Sequence, residues 1–299
     1  MNGENKETEE RRPPIPQPMQ RSVRKRCSFG CVVCGHPLYE YHHMVPYADV
    51  KKHEEKNLTL LCDGHHKEAT IGLLTSDQVA LADSSPYNRN SGISSPFALH
   101  FSGTEFNVEI GSNKLRGGAA HPEGGFAFIP ISVDDNDLLW FRVDAEGRIF
   151  FNMNILDECN LPLLVIQDNV LIYKTDTWDI LFKGTILTVR QASRNIFLEI
   201  KFCPPNGIRI LRGRLLCNGI EILVRETHIF IVNAGQIFGD CTFSGGAIGL
   251  QLGRNQRGYR GLIGPSPKNL KRYDIDRKAA LMMEKKSRKQ VESFLNKKT

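Results

Sequence analysis

The stretch from residue 27 to residue 75 constrains this chain more than any other. It holds Cys27, Cys31, Cys34 and Cys62 together with six of the nine histidines. Cys31 and Cys34, two residues apart, make one bidentate claw, and Cys62 and His65, again two apart, make another. Two such claws suit a closed tetrahedral Cys3His site for a structural Zn2+. About fifty residues enclose too little apolar surface to fold alone, so a metal staple is physically sensible. Cys27 could replace one ligand, although its spacing to Cys31 suits a knuckle less well.

Zinc needs four ligands, which leaves His42, His43 and His66 without a structural role. The order Cys31-Val32-Val33-Cys34, Tyr41-His42-His43-Met44-Val45-Pro46 and Asn57-Leu58-Thr59-Leu60-Leu61-Cys62-Asp63-Gly64-His65-His66 resembles the HNH endonuclease family over about a sixth of the chain. The match rests on the His-His-x-x-Pro element, on Asn-Leu before the second claw, and on a histidine directly after the last zinc ligand. His65 stands where that family usually has Cys, so His65 and His66 could exchange their tasks.

The resemblance implies a ββα-metal module. In it His43 is the general base, His42 and His66 hold one catalytic divalent cation, and Asn57 ties the loop between the strands and keeps His43 oriented. Mg2+ or Mn2+ would serve as that cation, with Ni2+ and Zn2+ as further candidates. His42 and His43 are adjacent on a strand and should point to opposite sides, so a bend must bring them to one phosphate. A short helix is expected from His65 to about Ile71. His36, His53, His100, His121 and His228 are read as surface residues.

The formal net charge of +6 is concentrated at the two ends. Residues 1–26 carry seven Lys/Arg against four Glu, residues 268–299 carry eleven against four Asp/Glu, and the stretch between is acidic. Basic ends attract polyanions, nucleic acid first. The Cys/His-rich segment itself has four Lys against six Asp/Glu, so affinity for DNA must come from outside it.

Around this segment the pattern divides the chain. Residues 1–26 read as a flexible, basic, Pro-rich arm, 27–75 as the nuclease module and 76–95 as a linker. Residues 96–255 read as a β-rich recognition or sensor domain, and 268–299 as a basic helical tail, its helix from Asp276 to Asn296. In the β-rich part, short apolar runs recur every 8–12 residues or so, at 97–101, 106–110, 138–143, 148–152, 169–173, 178–182, 186–190, 196–202, 208–211 and 221–225. Asn206-Gly207 and Asn218-Gly219 each suggest a type I′ hairpin turn. Cys159, Cys203, Cys217 and Cys241 are expected to be small buried apolar residues. The expected class is therefore α+β, a small zinc-stapled module followed by a mainly antiparallel β domain and a C-terminal basic helix.

No apolar run approaches the roughly 18–20 residues of a membrane helix, and the N-terminus has no signal-like apolar core. The expectation is a cytoplasmic nuclease of the bacterial restriction or defence type. Its partner would be double-stranded DNA, and a homo-oligomer or a regulatory partner would engage the β domain. A zinc-stapled module that binds nucleic acid or protein without cutting is the alternative. A secreted DNase toxin fits less well, because the nuclease segment is N-terminal and an export signal is missing.

Overall fold

A computed structural model describes residues 12–122, 124–244, 246–254, 262–263 and 272. The predicted helix 276–296 lies outside them. The chain is α+β, with mostly antiparallel strands and few helices. None of the described helices is long and apolar enough to cross a membrane.

Residues 17–26 of the arm expected to be flexible are ordered. Gln17–Arg26 forms a helix, α1. Prolines at its start fit the first turn, where the backbone donors have no partner, and Arg24, Lys25 and Arg26 complement the dipole at its end. The apolar stripe is Ile15, Met19 and Val23, each four residues from the next. Val23 is wholly buried and the other two pack against it in a small core with Cys27, Val32, Leu58, Leu60 and Leu61. Four-residue spacing within basic sequence is what the composition concealed.

Two short strands follow. β1 (Glu40–His43) pairs antiparallel with β2 (Leu58–Leu61), placing Tyr41 opposite Leu60 and His43 opposite Leu58. The loop between them carries a helical turn, α2 (Tyr47–Val50), and a 3-10 turn, Glu55–Asn57. α3 (Asp63–Thr70) comes directly after β2. The stretch 76–95, expected to be a linker, contains α4 (Ser76–Ser84) and α5 (Tyr87–Ser91). Thr75 and Gln78 form a reciprocal capping box at the start of α4, whose Val79 is buried in the same small core.

The rest is β structure in two sheets. In the first, Phe126–Val133, Asn136–Val143, Ile149–Leu156, Pro162–Gln167 and Val170–Tyr173 run as an antiparallel meander, with Ile248–Leu252 parallel to Phe126–Val133. In the second, Asp179–Lys183, Ile186–Ala192, Asn195–Cys203, Gly207–Cys217, Ile220–Arg225, His228–Ile231 and Gln236–Phe238 form another meander. Their inward residues make one continuous core in which Phe106, Phe141 and Phe151 meet with centroids about 5 Å apart.

Within Gly207–Cys217 the neighbour changes midway. Gly207 to Ile210 pair in parallel with Asn107–Ile110, and Gly213 onward pairs with Ile220–Arg225. Gly213, at φ +139°, is the pivot, and a Cβ there would sit 2.4 Å from the Phe197 carbonyl oxygen. Of the two Asn-Gly pairs, Asn218-Gly219 has both residues at positive φ, as a type I′ turn requires. Asn206-Gly207 does not, since neither residue has positive φ. Cys217 is buried as expected, but Cys159 is exposed and Cys203 and Cys241 are partly so.

The zinc-type segment is fastened to the sheets through α1. Arg24 binds Asp179 bidentately at 2.9 and 2.8 Å, with both side chains buried. Burial works against the Arg24 charge, but the Asp179 carboxylate outweighs it and the pKa is raised. Arg21 stacks 3.6 Å above the Trp178 ring, and Tyr173 Oη donates to the Phe29 carbonyl at 2.6 Å.

Candidate metal centre and histidine cluster

Cys31, Cys34, Cys62 and His65 come together with their ligand atoms within 4.8 Å of one another, and no other such donor group assembles among the described residues. Zn–S bonds near 2.3 Å and Zn–N bonds near 2.0 Å at tetrahedral angles put sulfurs about 3.8 Å apart and sulfur about 3.5 Å from nitrogen. Cys34 Sγ lies 3.8 Å from Cys62 Sγ, and His65 Nδ1 lies 3.4 Å from Cys31 Sγ and 3.2 Å from Cys62 Sγ. The donor set and spacing fit zinc.

The backbone explains the fit. Cys31 N donates to the His36 carbonyl and Gly35 N to the Cys31 carbonyl, closing the knuckle, while Val32 N donates to Leu60 and holds it on β2. Gly35 has φ +74°, and a Cβ there would meet Asn88 Oδ1 at 2.1 Å. Cys62 is the N-cap residue of α3, which places His65 in the first turn. The Cys34 thiol, donating to Cys31, pulls the Cys31 pKa down to about 4 and raises its own. One thiolate is therefore already favoured, and a metal would replace the shared proton.

Cys27 is not part of the group. Its sulfur faces Asp83 Oδ1 at 3.5 Å and Thr59 Oγ1 at 3.8 Å, and burial pushes its thiol up to about 12. The exchange between His65 and His66 is likewise decided, because His65 joins the cysteines while His66 turns away from them.

His66 meets His42, with ring centroids 5.0 Å apart and rings nearly perpendicular. Glu40 lies two residues before His42 and shares its face of β1 by strand alternation. Its Oε2 is 3.9 Å from His66 Nε2. Burial, and then His66, lower the His42 pKa and favour the neutral ring that a cation needs.

His43 belongs to a second, neighbouring group. Its ring lies 5.3 Å from His53 and 5.6 Å from Tyr47. Arg12 lies against both ring nitrogens of His43, nearer Nδ1, and 4.7 Å above the Tyr47 ring. Burial first, then the charges of Arg12, His53 and His42, lower the His43 pKa to about 4. No hydrogen bond joins Asn57 to the His43 side chain. Asn57 ties the loop, its carbonyl accepting from Met44 N at 2.8 Å and its side chain donating to Glu54 at 2.9 Å.

Sequence reasoning missed Glu40, His53, Tyr47 and Arg12. Strand alternation would have found Glu40, whereas His53 and Arg12 arrive from a loop and an arm with no local signal. The basic run 21–26 is largely engaged inside the protein, since Arg21, Arg24 and Arg26 bind Trp178, Asp179 and Asp83. Arg12, Lys25, Lys51, Lys52, Lys56 and Lys67 are exposed, and Arg12 lies against His43. Comparison with family models, with curated proteins and with solved structures finds no match.

Proposed function

We propose that this chain is a metal-dependent endonuclease of the HNH type that hydrolyses phosphodiester bonds of duplex DNA. The observation that carries the reading is the pairing of His42 with His66 immediately beside the Cys3His group, with His43 next to His42 on the same strand. A zinc-braced binding module has no need of imidazoles so arranged.

In this reading Cys31, Cys34, Cys62 and His65 hold a structural Zn2+ that fixes β2 and α3. His42 and His66 would hold a divalent cation such as Mg2+ or Mn2+. Such an ion, when bound, neutralises charge building on the phosphate and the departing 3′ oxygen. His43 takes a proton from water, the resulting hydroxide attacks phosphorus, and the bond to the 3′ oxygen breaks. The products are a 5′ phosphate and a 3′ hydroxyl, the leaving oxygen acquiring its proton from solvent. Arg12 is exposed, and an incoming phosphate is a stronger partner for it than a neutral ring, so substrate draws it off His43. The β sheets and the basic tail would select and grip the DNA.

Supercoiled plasmid incubated with the full chain in Mg2+, Mn2+, Ni2+ or Zn2+ tests this. Nicked and linear products that vanish with EDTA are expected. Intact plasmid with every ion, by a protein that holds one equivalent of zinc and retards DNA, would replace the proposal with the binding module.

A further inference from the structure

We propose that His53 is a positioning residue that fixes the tautomer of His43 and makes Nδ1 the proton-accepting nitrogen; this rests on the nuclease reading of the site. His53 Nε2 lies 2.7 Å from the carbonyl oxygen of Pro13, which only accepts, so that nitrogen carries hydrogen. His53 Nδ1 lies 3.1 Å from His43 Nε2. One of these two nitrogens must donate to the other.

His53 decides which. A neutral imidazole carries one hydrogen, and that of His53 sits on Nε2 toward Pro13, so its Nδ1 is bare and accepts. The guanidinium of Arg12 lies against His43 Nδ1 and also 3.1 Å from His43 Nε2, so it selects neither nitrogen. His43 Nε2 then donates to His53 Nδ1, and His53 Nε2 donates to Pro13. The chain of donors runs from the base out to the arm preceding α1, and every nitrogen in it is satisfied.

The consequence is chemical. Water gives its proton to His43 Nδ1, the ring becomes an imidazolium, and its Nε2–H stays bonded to the bare His53 Nδ1. His53 touches neither water nor phosphate; it holds the ring in plane and supports the charge that forms. Tyr47, 5.0 Å from His53 and 5.6 Å from His43, closes the remaining side of the pair. Lys51, Lys52 and Glu54 are close in sequence, and Lys52 is already paired with Glu54.

Two variants of the full chain separate this from a merely structural role. His53→Leu fills the space without an acceptor, whereas His53→Asn places an amide oxygen near the former Nδ1. Single-turnover plasmid cleavage by His53→Leu should fall about 10–100-fold, the usual cost of losing an orienting partner, with DNA affinity unchanged. His53→Asn should recover most of that loss. Equal losses in both variants, or a His53→Leu rate within twofold of wild type, would overturn the assignment.

A second readout does not depend on cleavage. Two-bond 1H–15N correlation of the zinc-loaded protein should show His43 as the Nε2–H tautomer in wild type and in His53→Asn, and as a mixture in His53→Leu. Finding the Nδ1–H tautomer in wild type would refute the wiring, even in a protein that cuts. Finding the expected tautomer in a protein that cuts no DNA would refute the nuclease reading and leave the wiring standing.

Discussion

Removing Asp179 should loosen the whole N-terminal segment. Its carboxylate is 4% exposed, the Arg24 guanidinium 6%, and they meet through two parallel hydrogen bonds. Asp179→Ala strands a buried cation whose remaining side-chain partner is Tyr41 Oη at 2.8 Å, and breaking such a pair from one side costs about 3–5 kcal/mol. At about 2–4 °C per kcal/mol for a domain of this size, the midpoint should drop by roughly 6–20 °C. Calorimetry and urea unfolding at neutral pH give both numbers. Arg24→Met combined with Asp179→Leu removes both charges and should sit within about 1 kcal/mol of wild type, because no desolvated ion remains. A shift below about 1 kcal/mol for Asp179→Ala would show that water reaches the pair and that α1 is not locked to the sheet.

Other outcomes follow from the same geometry. Cys34→Ala should release the zinc equivalent and expose the β2 amides to hydrogen exchange, and zinc retained at one equivalent would mean that the claws are misassigned. Cys27, its thiol pushed up to about 12 by burial, stays in the unreactive protonated form at pH 8 and becomes a thiolate only as pH rises toward that value. Iodoacetamide should therefore modify exposed Cys159 long before it, and equal rates by mass spectrometry would contradict its burial. Deleting residues 276–299, which carry eight Lys/Arg against three Asp/Glu, should weaken DNA binding and flatten its log–log salt slope by about 0.9 for each phosphate no longer neutralised. An unaltered slope would mean that the tail touches no phosphate.

Much of the zinc-type group is legible because structural zinc sites typically take their ligands in short-spaced pairs. Cys31, Cys34, Cys62 and His65 are therefore readable from spacing, whereas Cys27 is excluded only by Asp83 and Thr59 against its sulfur, which spacing does not show. The meanders were legible too, since short apolar runs between turn residues can do little else. Phe126–Val133 escaped because Pro130 interrupts it; the proline sits where the register with the next strand shifts. α1 escaped for the opposite reason, with three apolar residues at helical spacing hidden among arginines and prolines. His53 and Arg12 could not be read at all, because their meaning comes from a loop and an arm folding back over His43.

The central claim, that His43 is the base of a metal-dependent nuclease, meets its most direct test in paired plasmid assays. Wild type and His43→Ala, each carrying one equivalent of zinc, are compared in the same divalent ion. Cleavage is expected from the first and a loss of at least about 100-fold in the second, with unchanged circular dichroism. Equal cleavage by both proteins would contradict the assignment.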